Sequence, residues 1–168
     1  MNKKEMIQVD KIKKNKKVLL ISIFIICLVA IDQITKFFIV GYEKNIINDF
    51  LKICIVQNYG GAFGVGQTGT MTFIITNVIV IGIIIRFMHM QEKQIDKRTY
   101  FALSLIIAGA IANLIDKLFK GYVVEFIVIK SLAFNFADIL IVLGWILLAL
   151  FFATYTYKIK SKKGDKVE

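Results

Sequence analysis

Ala133-Phe134-Asn135-Phe136-Ala137-Asp138 opens the last long apolar run of the chain, and it carries an acid where a plain membrane anchor would carry another leucine. An ionisable group in hydrocarbon is costly and marks a functional position by default. The run it opens, about 134–157, is long enough to span a bilayer, because roughly 20 apolar residues cover the ~30 Å hydrocarbon core. Comparable runs lie upstream at about 18–40, 70–90 and 99–119. The expected class is therefore an all-α polytopic membrane protein, a single membrane domain over residues 1–168 with four transmembrane helices.

Composition agrees. The chain is 57% hydrophobic with a mean hydropathy of +0.69 and no proline, above the ~45–50% apolar content usual for soluble domains. The net charge of +10 does not point to nucleic acid, because the basic residues sit outside the apolar runs and no stacking aromatics interleave with them. Cys27 lies in an apolar run and Cys54 in a polar-flanked segment, which gives little support for a disulfide or a metal site. The single histidine, His89, has no ligand-type neighbours at useful spacing and reads as an interfacial side chain beside Arg86.

Lysine and arginine bias sets membrane orientation. Residues 1–17 form a basic tail with seven lysines, the 91–98 link holds three basic residues, and the tail after 157 holds five. The links at 41–69 and 120–133 contain only Lys44, Lys52, Lys120 and Lys130. Both termini are accordingly expected in the cytoplasm, with 41–69 and 120–133 extracytoplasmic. The first span is not a cleavable leader, because its apolar run continues through Asp32-Gln33-Ile34-Thr35-Lys36 into Phe37-Phe38-Ile39-Val40 without a small-residue cleavage site. Leu51–Val56 has the composition of a short strand, and a β-branched patch runs from Val123 to Ile129. Between them Asn58-Tyr59-Gly60-Gly61-Ala62-Phe63-Gly64 is a flexible, glycine-rich loop.

With this topology, a rise of about 1.5 Å per helical residue places Asp32 and Lys36 roughly 21 and 27 Å along the first span. Asn113 and Asp116 fall about 21 and 25 Å from the inner end of the third, and Asn135 and Asp138 within roughly 6 Å of the outer end of the fourth. Helices of both directions thus bring polar groups to one outer layer, which Glu125 and the glycine loop also reach. Each group has a plain alternative. Asp32 and Lys36, at i and i+4, neutralise each other on one helix face. Asn113 and Asn135 satisfy backbone groups or cross-link helices, or else bind substrate. Asp116 and Lys117 are interfacial charges, the lysine reaching towards headgroups. Glu125 and Asp138 are the pair with chemistry in reach: two acids held close share a proton, one serving as base and the other as acid. Proton or ion translocation uses the same residues.

Taken in order, these motifs resemble the lipoprotein signal peptidases, or type II signal peptidases. The resemblance covers Asp32 to Asp138 through Asp32-Gln33-Ile34-Thr35-Lys36, Asn58-Tyr59-Gly60-Gly61-Ala62-Phe63-Gly64, Ala112-Asn113-Leu114-Ile115-Asp116-Lys117, Gly121-Tyr122-Val123-Val124-Glu125-Phe126 and Phe134-Asn135-Phe136-Ala137-Asp138. It implies an aspartic endopeptidase of the bacterial cytoplasmic membrane, cleaving diacylglyceryl-modified prolipoproteins before the lipidated cysteine at the outer leaflet. Glu125 and Asp138 would be the catalytic dyad. Asn58, Asn113 and Asn135 would orient the loop or the substrate, with Gly60 and Ala137 beside them, and Asp32 and Lys36 would hold the first helix against the site. Asp116 and Lys117 would support it. The first external segment would form a small β-cradle and a clamp, and the implied partners are the prolipoprotein and membrane lipids, with a monomer favoured and no metal or organic cofactor. The chain departs from the family pattern at three places: Glu125 stands for an aspartate, Lys117 for an arginine and Ala112 for a glycine. These leave a lipopeptide-binding paralogue with weak hydrolysis, use of Asp116 in place of Glu125, and a small proton- or ion-coupled carrier as alternatives.

Overall fold

The computed structural model describes residues 2–48, 50–60, 69–92 and 94–164. Among the described residues are four helices, α1 (Lys3–Phe38), α2 (Thr70–Met90), α3 (Lys97–Lys120) and α4 (Phe136–Gly164), and four strands, β1 (Lys44–Ile47), β2 (Leu51–Asn58), β3 (Val123–Ile129) and β4 (Leu132–Phe134), one strand pair between α1 and α2 and the other between α3 and α4. All four helices are long and apolar enough to cross a membrane. The protein is a multi-pass membrane protein of predominantly helical class with one small antiparallel sheet.

Exposure separates the helices by role. In α3, 72% of the most apolar stretch is buried inside the protein, against 6% for α1, 6% for α2 and 17% for α4. α3 is therefore the central post, and α1, α2 and α4 pack around it with their aliphatic faces turned outward. In lipid, an outward leucine costs nothing, so association rests on close packing and hydrogen bonds rather than on apolar burial. Small residues supply that packing. A Cβ added to Gly109 of α3 would run into the Ala137 carbonyl and lie 2.7 Å from Ile141 Cγ1, and one added to Gly144 of α4 would lie 2.8 Å from the Ala102 carbonyl oxygen. Each helix thus contributes one glycine to the α3–α4 crossing.

The ends of α3 are well defined. Asp96 caps its start, accepting a hydrogen bond from the Thr99 amide at 2.8 Å. Gly121 ends it with φ +79°, a left-handed cap whose N–H donates to the Lys117 carbonyl. Only Tyr122 then separates this cap from β3, so the last turn of α3 and the start of β3 are fixed to each other.

The sheet has the order β1-β2-β3-β4, every pair antiparallel. β1 and β2 come from the α1–α2 link and β3 and β4 from the α3–α4 link, which places the sheet across one end of the bundle. Its interior strand β3 is buried at Val123, Val124, Glu125, Phe126 and Val128, matching an almost continuous apolar run rather than an alternating one. β2 pairs Val56 with Glu125, and its register slips between Ile53 and Val56, immediately beside that acid. α1 runs without interruption from Lys3 into the apolar span, so most of the basic N-terminal segment is helical. Glu5 stands in its first turn, and lysines are good helix formers.

Candidate active site at the sheet end of the bundle

Four chain segments meet where the sheet joins the helices. α1 contributes Asp32 and Lys36, four residues apart and therefore on one face. The Lys36 ammonium is enclosed, with its side chain 1% exposed, and contacts Asp32 Oδ2 at 2.6 Å, Asp116 Oδ2 at 2.9 Å and Asn113 Oδ1 at 3.3 Å. Asp32 Oδ1 accepts the Ala137 amide at 2.9 Å, tying α1 to the first turn of α4. Asp116 also accepts Lys120 Nζ at 2.8 Å and the Val124 amide at 3.1 Å, which clamps β3 one residue before Glu125. The expected intrahelical pair is thus one edge of a network spanning α1, α3, α4 and β3.

The start of α4 is a capping box. The Asn135 side-chain oxygen accepts the Asp138 amide at 2.8 Å, and the Asp138 carboxylate accepts the Asn135 amide through Oδ2 at 3.0 Å. Asn113 Nδ2 donates to the other oxygen of Asp138 at 2.8 Å, while Asn135 Nδ2 donates to Asn113 Oδ1 at 2.9 Å and to the Val124 carbonyl at 3.1 Å. Both asparagines are therefore cross-links that set the orientation of Asp138. Each carboxylate oxygen keeps acceptor capacity, because an ionised carboxylate offers about four lone-pair positions.

Glu125 reaches the same place from the sheet. Asn58 Nδ2 donates to its Oε1 at 2.6 Å, and Asn58 Oδ1 accepts the Gly60 amide at 2.8 Å. Burial pushes the Glu125 carboxyl above the usual carboxylate range; the Asn58 hydrogen bond opposes this and the neighbouring charge of Asp138 adds to it. Lys117, buried to 1% exposure, donates to the carbonyls of Tyr59 at 2.9 Å and Gly60 at 3.0 Å. It fixes the chain where the glycine-rich segment begins. Residues 61–64 of that segment lie outside the described residues.

Glu125 and Asp138 both line a cavity of about 590 Å³, together with Asn58 and Asn113. Its remaining wall is largely apolar and includes Phe73 of α2 and Ile141, Val142 and Trp145 of α4. Asp32, Lys36, Asp116, Lys117, Asn135 and Ala137 do not line it; they stand behind the residues that do. Two acids facing one largely apolar cavity are suited to activating a water next to a substrate with a greasy portion.

Sequence reading did not single out Lys120 or Gln33 as site residues. Lys120 was legible as an i, i+4 partner of Asp116. Gln33 Nε2, which donates to the Ala112 carbonyl at 3.1 Å, carries no such signal. The contribution of α2 to the cavity, through Thr72, Phe73, Thr76 and Asn77, follows only from tertiary packing.

Residues 24–154 match the family model described as Signal peptidase (SPase) II. The chain is 41% identical over 137 residues to a lipoprotein signal peptidase of Thermodesulfovibrio yellowstonii, spanning 76% of this chain and 88% of that protein. It is 37% identical over 135 residues to one of Clostridium novyi, spanning 73% and 90%. Among solved structures it is similar to a bacterial membrane enzyme, with a TM-score of 0.71, 29% identity and coverage of 84% of this chain and 90% of that one.

Proposed function

This chain belongs to the signal peptidase II family, and on that premise we propose that it removes signal peptides from bacterial prolipoproteins by an aspartic mechanism. The observation that carries the reading is the presence of Glu125 and Asp138 on one cavity whose remaining wall is largely apolar. The substrate is a diacylglyceryl-modified prolipoprotein, cut before its lipidated cysteine. The enzyme works in the cytoplasmic membrane with both termini cytoplasmic and the site at the outer leaflet. Excess lysine at the end opposite the sheet supports that orientation.

In this mechanism the two carboxyls share one proton in the resting site, written here on Glu125. Asp138 accepts a proton from a water lying between the two carboxyls, and the hydroxide attacks the scissile carbonyl carbon. Glu125 donates its proton to the carbonyl oxygen, giving a neutral tetrahedral diol. The proton on Asp138 then passes to the leaving nitrogen as the C–N bond breaks, and a diol hydroxyl returns its proton to Glu125. The dyad ends as it began. Asn113 and Asn135 keep Asp138 in place during these steps, and Asn58 steadies Glu125.

The replacement of the expected aspartate by Glu125 extends the acid by one methylene. A misplacement of about 1 Å can cost on the order of 100-fold in rate. Beside Glu125 the register of β2 slips between Ile53 and Val56, and Asn58 Nδ2 holds the longer acid at 2.6 Å. Asp116 is a poor substitute, because it is fully buried and its oxygens are taken up by Lys36, Lys120 and the Val124 amide.

The test is incubation of the purified protein with a diacylglyceryl-prolipoprotein and detection of the released signal peptide. Release by the wild-type protein and its loss in Asp138→Asn supports the proposal. Binding without release by the wild type would assign the protein as a lipopeptide-binding paralogue instead.

A further inference from the structure

A second cavity, of about 410 Å³, lies at the end of the bundle opposite the sheet, between α1 and α2 with α3 as its floor. Its deep part is aliphatic, lined by Ile21 and Ile25 of α1, Ile85 and Met88 of α2, and Ile107 and Ile111 of α3. Its mouth carries Lys14, Lys17, His89 and Glu92. Along α3 it runs from Tyr100 to Ile111, about 16 Å at the helical rise, which is the depth of one leaflet of a ~30 Å hydrocarbon core.

The charges at the mouth are arranged unequally. Lys14 and Glu92 neutralise each other at 2.6 Å. Lys17 has no ion pair among the described residues; its ammonium sits 3.4 Å from the centroid of the Tyr100 ring. Tyr100 is itself anchored, its hydroxyl donating to the Met88 carbonyl at 3.0 Å. The result is a positioned cation above an aliphatic slot of monolayer depth, beside an acid able to accept hydroxyl donors.

From this juxtaposition we infer that the α1–α2 groove is a binding site for an anionic phospholipid of the inner leaflet. Its phosphate meets Lys17 and His89, its headgroup hydroxyls face Glu92, and one acyl chain fills the slot over α3. Charge complementarity selects a lipid of net negative charge, and the aliphatic lining selects a lipid rather than a free phosphate. The site is separate from the cavity that holds Glu125 and Asp138, so occupancy braces α1 against α2 without touching the reacting groups.

The experiment is native mass spectrometry of the full-length protein in neutral detergent with equal amounts of dioleoyl phosphatidylglycerol and dioleoyl phosphatidylcholine. Wild type should retain the anionic lipid about fivefold over the zwitterionic one, a preference of the size expected for one or two basic residues near a headgroup. Lys17→Gln with His89→Gln should bring the ratio near unity, whereas Lys44→Gln with Lys52→Gln, at the sheet end, should not. A second measurement needs no variant: phosphatidylglycerol should raise the unfolding temperature of the wild type, and phosphatidylcholine should not. Equal retention of the two lipids by wild type, or an unchanged preference in the Lys17–His89 variant, would overturn the assignment.

Discussion

Lys36→Met is the substitution that bears most heavily on how the site is held together. It keeps the unbranched apolar stem of the side chain but deletes an ammonium whose partners are Asp32 Oδ2, Asp116 Oδ2 and Asn113 Oδ1. Asp32 and Asp116 have no exposed surface, so water cannot replace the lost cation. Removing one partner of a buried ion pair costs about 3–5 kcal/mol, because the other charge is left uncompensated. For a domain of this size roughly 2–4 °C is lost per kcal/mol, so the unfolding temperature should fall on the order of 10 °C. By contrast, Lys14→Ala breaks a pair whose lysine is 42% exposed, and such pairs contribute about 1 kcal/mol or less. The assay is thermal unfolding in neutral detergent of wild type, Lys36→Met, Lys14→Ala and the double variant Asp32→Asn with Lys36→Met. The double variant should recover part of the loss, because one of the two stranded carboxylates is gone. A fall no larger than that of Lys14→Ala, or no recovery in the double variant, would refute the view that Lys36 is the cation of a closed network.

Asn58→Ala removes the hydrogen bond that holds the Glu125 pKa down, so the alkaline limb of the pH–activity profile should move to higher pH as total activity falls. Glu125→Gln should raise the unfolding temperature at alkaline pH and leave it unchanged in acid. A carboxyl with a raised folded pKa favours the fold below its unfolded value, and that favour is lost as pH rises through the raised value. Gly144→Leu should destabilise the α3–α4 crossing by about 1–3 kcal/mol or more, read as a lower unfolding temperature, because a Cβ there already meets the Ala102 carbonyl oxygen at 2.8 Å. Asn135→Ala should cost more than the ~1 kcal/mol of a lost cap, because Asn113 Oδ1 and the Val124 carbonyl also lose a buried donor, and it should reduce cleavage further by freeing Asp138.

The architecture was legible because the solvent imposes it: four apolar runs of spanning length leave few arrangements open. The depth estimate brought Asp32, Asn113, Asp116 and Asp138 to one layer, and they do meet there. Local signals also carried the two longer strands, with Leu51–Val56 falling within β2 and the Val123–Ile129 patch forming β3. What the sequence could not reveal was who touches whom. Asp32 and Lys36 at i and i+4 have the spacing of a self-contained pair, yet their decisive contacts, with Asp116 and the Ala137 amide, lie 80 and 105 residues away along the chain. Asn135 and Asp138 likewise combine two roles, a helix cap and a site support, which the Asn-x-x-Asp spacing shows only in part. The β2 slip beside Glu125 leaves no mark in composition, because bulges are set by pairing across strands.

The central claim is that Glu125 and Asp138 divide the acid–base work of one hydrolytic step. Cleavage of a diacylglyceryl-prolipoprotein should therefore be measured for wild type, Asp138→Asn, Glu125→Gln, Glu125→Asp and Asp116→Asn under identical conditions. The account predicts release of the signal peptide by wild type and by Glu125→Asp, with a loss of roughly 100- to 10,000-fold in Asp138→Asn and Glu125→Gln. Full activity in Glu125→Gln would contradict it, as would abolition of cleavage by both Glu125→Asp and Asp116→Asn.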